Sequence, residues 1–154
     1  MKMISAVVVL AFIPQSLSAD TFQTHAVLSG IAHAIDGDDV AFGEVRVRLR
    51  GIAAPEDRRG AIEPGGPEAT ANLSRIVDHR LVVCHLDGTT TPGSMRPVGI
   101  CFVDGEDVGR LQVRYGHARD CPRYSGGMYA EDELEARSHG KDLSAIYGLP
   151  GYCD

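Results

Sequence analysis

Residues 35–56 read IDGDDVAFGEVRVRLRGIAAPE, and this stretch decides the fold. It opens on Asp36-Gly37, a pair suited to the tight turn between antiparallel strands because Gly tolerates positive φ. Asp38 and Asp39 then stand at the head of a short apolar run. Beyond Gly43, the residues Arg46, Arg48 and Arg50 alternate with Val47 and Leu49. A period of two places the three arginines on one face of a strand and the aliphatic residues on the other. The strand runs into the loop GIAAPE, which ends on Pro55 and Glu56. Carboxylates and guanidinium groups are thus gathered in one short stretch, a mixture suited to a place where a metal ion and a phosphodiester meet.

Outward from that stretch, residues 24–34 are expected to form a strand bent at Gly30. Residues 51–66 read as a loop rich in Gly, Pro and charge. Pro67 then sits where a first helical turn begins, with Glu68 beside it, as helix N-termini prefer. Ala69, Leu73 and Ile76 recur at helical spacing, with Val77 alongside, so an amphipathic helix follows. Residues 81–86 and 97–103 read as strands separated by a turn region. Residues 106–115 and 129–139 read as two further helices, with a loop over 120–127 between them. Three strands, a helix, two strands and two helices make an α+β protein. Its natural closed form is a five-stranded barrel of the OB type carrying three helices.

At 154 residues, with 44% hydrophobic and 23% charged residues, one globular domain is expected. The net charge of −6 disfavours general attraction to polyanions, so nucleic-acid binding would need a local basic site. The only lysines are Lys2 and Lys141, and the remaining cations are arginines, which offer a planar fork to phosphate. Residues 1–19 carry Lys2, a short apolar run and a small-residue end at Ala19, the pattern of an export signal cleaved after Ala19. A mature domain over residues 20–154, secreted or periplasmic, is therefore expected, with no membrane attachment after cleavage.

Export gives the four cysteines a meaning. Three pairings are possible. Cys84 and Cys101 lie in neighbouring strand-like runs, which favours Cys84–Cys101 and leaves Cys121–Cys153 to tie the C-terminal end to a loop. Zinc is disfavoured, since no C-x-x-C occurs and the six histidines are scattered. A calcium loop of the EF-hand kind is excluded, because Val40 and Val47 occupy ligand positions.

In order and spacing, AIDGDDV, RVRLRGIAAPE, GPEATANL and Arg96 before PVGICFV resemble the staphylococcal nuclease (thermonuclease) family over residues 32–139. That family has an OB barrel with three helices. It cleaves phosphodiesters of DNA and RNA with calcium, leaving a 3'-phosphate. The resemblance implies that Asp38 is a direct calcium ligand and that the Ala54 carbonyl is another. Arg48 would contact the scissile phosphate. Arg96 would stabilise the charge that develops on it, and Glu56 would act through water as base or water-orienting group. The chemistry is coherent, because guanidinium groups placed for the transition state supply electrostatic stabilisation and a carboxylate can take a proton from water.

Departures from the family pattern matter as much. Ala53 stands where the family usually has an aspartate that binds calcium, so a weakened calcium site is expected. Restoring the carboxylate, Ala53→Asp, is expected to strengthen it. Asp39, where the family has threonine, is a possible substitute ligand only if the strand twists or bulges, since neighbours in a strand face opposite sides. Ser94-Met95 replaces the family's Tyr-Gly before Arg96. Two readings stay open. One is an exported calcium-dependent nuclease, a monomer acting on DNA or RNA. The other is a catalytically weak or inactive OB module that binds nucleic acid or an anionic polysaccharide. Ala53 favours the second, and the joint presence of Asp38, Arg48, Glu56 and Arg96 favours the first.

Overall fold

The computed structural model describes residues 24–154; the expected export signal lies outside the described residues. The strands, in chain order, begin with β1 (Ala26–Ile31), β2 (His33–Asp36), β3 (Asp39–Phe42) and β4 (Val45–Leu49). The short β5 (Ile52–Ala53), β6 (Asp57–Arg58) and β7 (Ala61–Ile62) follow, then helix α1 (Gly66–Val77). Next come β8 (Leu81–Thr90), β9 (Pro97–Val103), β10 (Glu106–Asp107) and α2 (Val108–Arg114). The chain ends with β11 (Arg119–Asp120), α3 (Pro122–Ser125), α4 (Ala130–Ser138) and the 3-10 turns Leu143–Ala145 and Gly151–Cys153.

The main sheet runs β1-β8-β9-β4-β3-β2, with β10 added on β9. Its pairings are antiparallel except β4 with β9, where Arg48 lies opposite Val98. The two ends of this order, β1 and β2, are separated in sequence by Ala32 alone. The protein is thus α+β, as the element order implies. The bend expected at Gly30 lies instead at Ala32, which bridges to Asp78. The loop expected over residues 51–66 contains two small strand pairings, β5 with β11 and β6 with β7. The one expected over 120–127 holds β11 and the single-turn α3.

The alternation read in β4 is real. Val47 and Leu49 are buried in the core, and Arg46 and Arg48 look out from the opposite face. Ala69, Leu73, Ile76 and Val77 bury one side of α1 against Val40, Val47, Val82 and Val103. Burying such side chains contributes roughly 1.5–3 kcal/mol each against leaving them in water.

The cysteines pair as Cys84–Cys101 across β8 and β9, where they are direct register partners, and as Cys121–Cys153. The second disulfide sits in its own apolar cluster with Ala53, Leu143 and Tyr147. Among the described residues no helix is long and apolar enough to cross a membrane.

Candidate phosphodiester site

The turn between β2 and β3 carries the acids. It forms where the β2–β3 register shifts between Ala34 and Asp36, so Asp38 precedes the strand and strict alternation does not apply to it. Asp38 and Asp39 therefore both reach arginines of the same wall, although they are neighbours. Gly37 serves this turn for a reason other than the expected one. It does not adopt positive φ. Instead, a Cβ at this position would lie 2.6 Å from the Ala54 methyl and 2.7 Å from that of Ala69, so a close approach of turn, loop and helix requires glycine.

Asp38 is buried and fully engaged. One carboxylate oxygen pairs with the Arg48 guanidinium, and the other accepts the Ala54 backbone N–H at 3.0 Å. Arg48 also donates to the Ile52 carbonyl at 3.2 Å. Burial pushes the Asp38 carboxyl above its usual range, while Arg48 and the Ala54 N–H pull against it. Burial alone would lower the Arg48 value, but Asp38, Tyr152 and Glu56 outweigh it, so the guanidinium stays charged.

Asp39 lies opposite Arg48 in the β3–β4 register and accepts from both Arg46 (3.2 Å) and Arg96. Its other carboxylate oxygen is buried without a hydrogen-bond partner. Arg96, on the loop before β9, is steadied by Ser94 Oγ at 2.9 Å, and its backbone N–H donates to Thr91 Oγ1 at 3.1 Å. Ser94 thus helps to hold the arginine in its loop.

Glu56 pairs with Arg58 on the β6–β7 hairpin, and its backbone N–H donates to Glu63 at 2.9 Å. Asp36 accepts the N–H groups of Gly37 (2.8 Å) and Asp57 (3.3 Å). Burial raises the Asp36 value first, and the nearby Glu56 adds to the rise. Asp36, Asp38, Asp39 and Glu56 are thus faced by Arg46, Arg48, Arg58 and Arg96, acid and base in equal number. Arg50, expected as part of the arginine stripe, pairs with Asp87 at 3.1 Å.

This donor set leaves few uncommitted carboxylate oxygens for a calcium ion, the partnerless oxygen of Asp39 among them. Among the described residues no group of three or more His, Cys, Asp or Glu side chains is placed to hold a metal ion. Calcium needs six to eight oxygens, but both Asp38 oxygens are taken and Glu56 is held by Arg58. Ala53 is fully buried, and it packs with Cys121, Cys153, Leu143 and Tyr147. A carboxylate at position 53 would enter that apolar cluster.

Two groups of supporting residues escaped the sequence reading. Gln112 is fully buried on α2 and donates to the carbonyls of Gly37 (2.7 Å) and Ala69 (3.1 Å), while Asn72 donates to it. It fastens the acid-bearing turn to both helices. The signal was present, since a glutamine stands one helical turn after the buried Val108. Tyr147 and Tyr152, on the C-terminal segment, both sense the charge of Asp38 and Arg48. No local motif marks them, because the disulfide brings them there. A hollow of about 490 Å³, whose lining includes Arg75, Arg80, His117 and Lys141, shares no residue with this wall.

Comparison with known proteins adds one relative. Over 122 residues the chain is 35% identical to a protein named succinoglycan biosynthesis protein ExoI, from Rhizobium meliloti (strain 1021). The aligned region is 74% of this chain and 63% of the relative, so the chain spans less than two thirds of that protein's length. No protein-family model matches the chain.

Proposed function

We propose that the chain is an exported staphylococcal nuclease-like protein that takes the phosphodiester backbone of DNA or RNA on its Arg48–Arg96 wall and hydrolyses it. The observation that carries this reading is the convergence of Arg48, Arg96, Asp38 and Asp39 on one wall, with Glu56 joined to Asp36 through Arg58, which pairs with both. Arg48 and Arg96 hold the non-bridging oxygens and the charge that builds on them. Glu56 orients the attacking water and takes its proton. Substrate phosphate competes with Asp38 and Asp39 for the arginines, so the acids set how strongly the wall holds an anion.

The barrel belongs to the same reading. A sheet whose edge strands are joined through one residue, and whose β4 and β9 run parallel, supports an OB-type closure. Two disulfides support an oxidising, extracytoplasmic location. The calcium requirement comes from the resemblance, and the engaged Asp38 and apolar Ala53 argue for a weak dependence.

A second reading is favoured by those same two residues: a module that binds an anionic polymer without cutting it. The relative named for succinoglycan biosynthesis is the reason to include an anionic polysaccharide among the polymers tested.

The test is hydrolysis of labelled single-stranded DNA and RNA, with calcium and with chelator. The nuclease reading expects cleavage that falls by about 100-fold or more in Glu56→Gln and in Arg96→Ala, each still folded. Retention of uncut polymer by the wild type at millimolar calcium (roughly the weak end of protein calcium sites) would replace it with the binding module.

A further inference from the structure

A second concentration of positive charge lies away from the wall. The hollow of about 490 Å³ is bounded by residues of α1, of α2 and of the chain that follows each helix, with Arg75, Arg80, Tyr115, His117 and Lys141 in its lining. Ligand sites commonly run from roughly 300 to 1,000 Å³. Separate segments deliver the cations. Arg75 stands in the last turn of α1, where its guanidinium donates to Asn72 Oδ1 at 2.9 Å. His117 follows α2, and its backbone N–H donates to the Gln112 carbonyl at 2.9 Å. Lys141 follows α4, and its backbone N–H donates to the Ala136 carbonyl at 2.9 Å. Gly116, at a φ of 76°, lets the last two segments meet, because a Cβ there would lie 2.7 Å from both the Cβ and the carbonyl oxygen of Lys141. The Lys141 ammonium accordingly sits 5.3 Å from the centroid of the Tyr115 ring.

Helix C-termini favour cations singly, which accounts for Arg75 on its own helix but not for the meeting of three segments. Most arginines of this chain are paired with carboxylates, Arg80 with Asp104 among them. Arg75 and Lys141 form no ion pair among the described residues, and no carboxylate lines the hollow. We propose that this hollow is a second anion site, which binds a phosphate monoester group between Arg75 and Lys141 with His117 at its side. Such a group carries about 1.5–2 negative charges at neutral pH and three acceptor oxygens. That number suits a guanidinium fork, an ammonium and an imidazole arriving from different segments, whereas a planar carboxylate is satisfied by one arginine fork. The charges facing His117 are Arg75 and Glu68 from α1 and Lys141 after α4. A bound anion offsets the two cations, so the imidazole takes up a proton more readily. The site stands apart from the nuclease reading. Free phosphate and the phosphorylated end of a polynucleotide both present the group.

The test follows the His117 ring by NMR in the full disulfide-bonded chain, in chelator. The probes are inorganic phosphate and two oligothymidylates of equal length, one ending in a 3'-phosphate and one in a 3'-hydroxyl. A saturable shift of the ring, with a raised His117 pKa, is expected from inorganic phosphate, from the phosphorylated end, or from both, and which probe acts identifies the source. The 3'-hydroxyl oligomer is expected to leave the ring unmoved. Arg75→Gln/Lys141→Gln, at two exposed positions, is expected to weaken the response by about tenfold or more, and Arg96→Ala to leave it unchanged. The proposal is overturned if neither phosphate-bearing probe gives a saturable shift, or if the 3'-hydroxyl oligomer acts as strongly as the phosphorylated one. It is equally overturned if the folded double variant binds undiminished or if Arg96→Ala abolishes the response. If inorganic phosphate saturates the hollow while neither oligomer binds anywhere on the protein, the nucleic-acid reading falls and this site stands.

Discussion

Ala53 shows how one residue can look like a defect in a motif and be a component of something else. In the strand register it lies opposite Arg119, and its methyl packs against the Cys121–Cys153 bridge. Ala53→Asp is therefore expected to destabilise the fold by on the order of 3 kcal/mol, the usual consequence of burying an unpaired charge. A calcium titration of the variant should show no gain. Chemical denaturation beside that titration checks both parts, and a stable variant with tighter calcium binding would contradict the placement. Gln112 is the complementary case, a polar residue the core cannot lose. Gln112→Leu keeps the volume but leaves the Gly37 carbonyl without its donor, and a loss of about 2 kcal/mol in denaturant unfolding is expected.

His117 offers a residue-scale check through pH. Burial foremost, then the Arg75 and Lys141 charges, lower its value from the ordinary 6.5, against an opposing pull from Glu68. The fold therefore holds this proton less readily than the unfolded chain does. Its contribution to stability is present above 6.5 and is lost as pH falls through the lowered value. On acidification the wild type should lose melting temperature relative to His117→Gln. A constant difference between the two would contradict the shift.

The element scale is where the sequence was most and least legible. β4 and α1 could be read because each repeats at its own period and buries one face. Pro67 marked the helix start, and the structure places Gly65 before it at a φ of 90°. By contrast, β5, β6, β7 and β11 are two-residue strands, too short to carry any period, and they pair only because other elements bring them together. The direction of Asp38 and Asp39 depended on whether the strand bulges, which the sequence left open for a related reason. Alternation assumes an extended strand, and the register shift before Asp39 interrupts it. The tail could be read as to pairing but not as to place. Cys121–Cys153 follows from where the other two cysteines lie, whereas the tail's place beside Ala53 depends on packing. The bridge spans 32 residues of sequence. Cys121→Ser with Cys153→Ser should cost about 3–4 kcal/mol by the chain-entropy relation and should release the tail. Unfolding in denaturant measures the first effect, and easier proteolysis after Leu143 the second. A double variant with unchanged stability and protection would show that the bridge is not what holds the segment.

At the scale of the whole molecule, a chain of net charge −6 has to hold an anion locally. On the proposed reading it does so with four arginines matched by four carboxylates, a wall that would offer positive charge when phosphate displaces the acids. Such a wall binds more weakly than an open basic groove, and its affinity is sensitive to salt. The most direct measurement is the salt dependence of oligothymidylate binding by the wild type and by Asp38→Asn/Arg48→Gln/Arg96→Ala, in which the buried pair is neutralised together so that no charge is stranded. If both arginines contact phosphate, the slope of log affinity against log salt should shrink by about 1.4, roughly 0.7 for each lost phosphate contact on a single strand. An unchanged slope in a folded variant would mean that this wall is not where the polymer's phosphates bind.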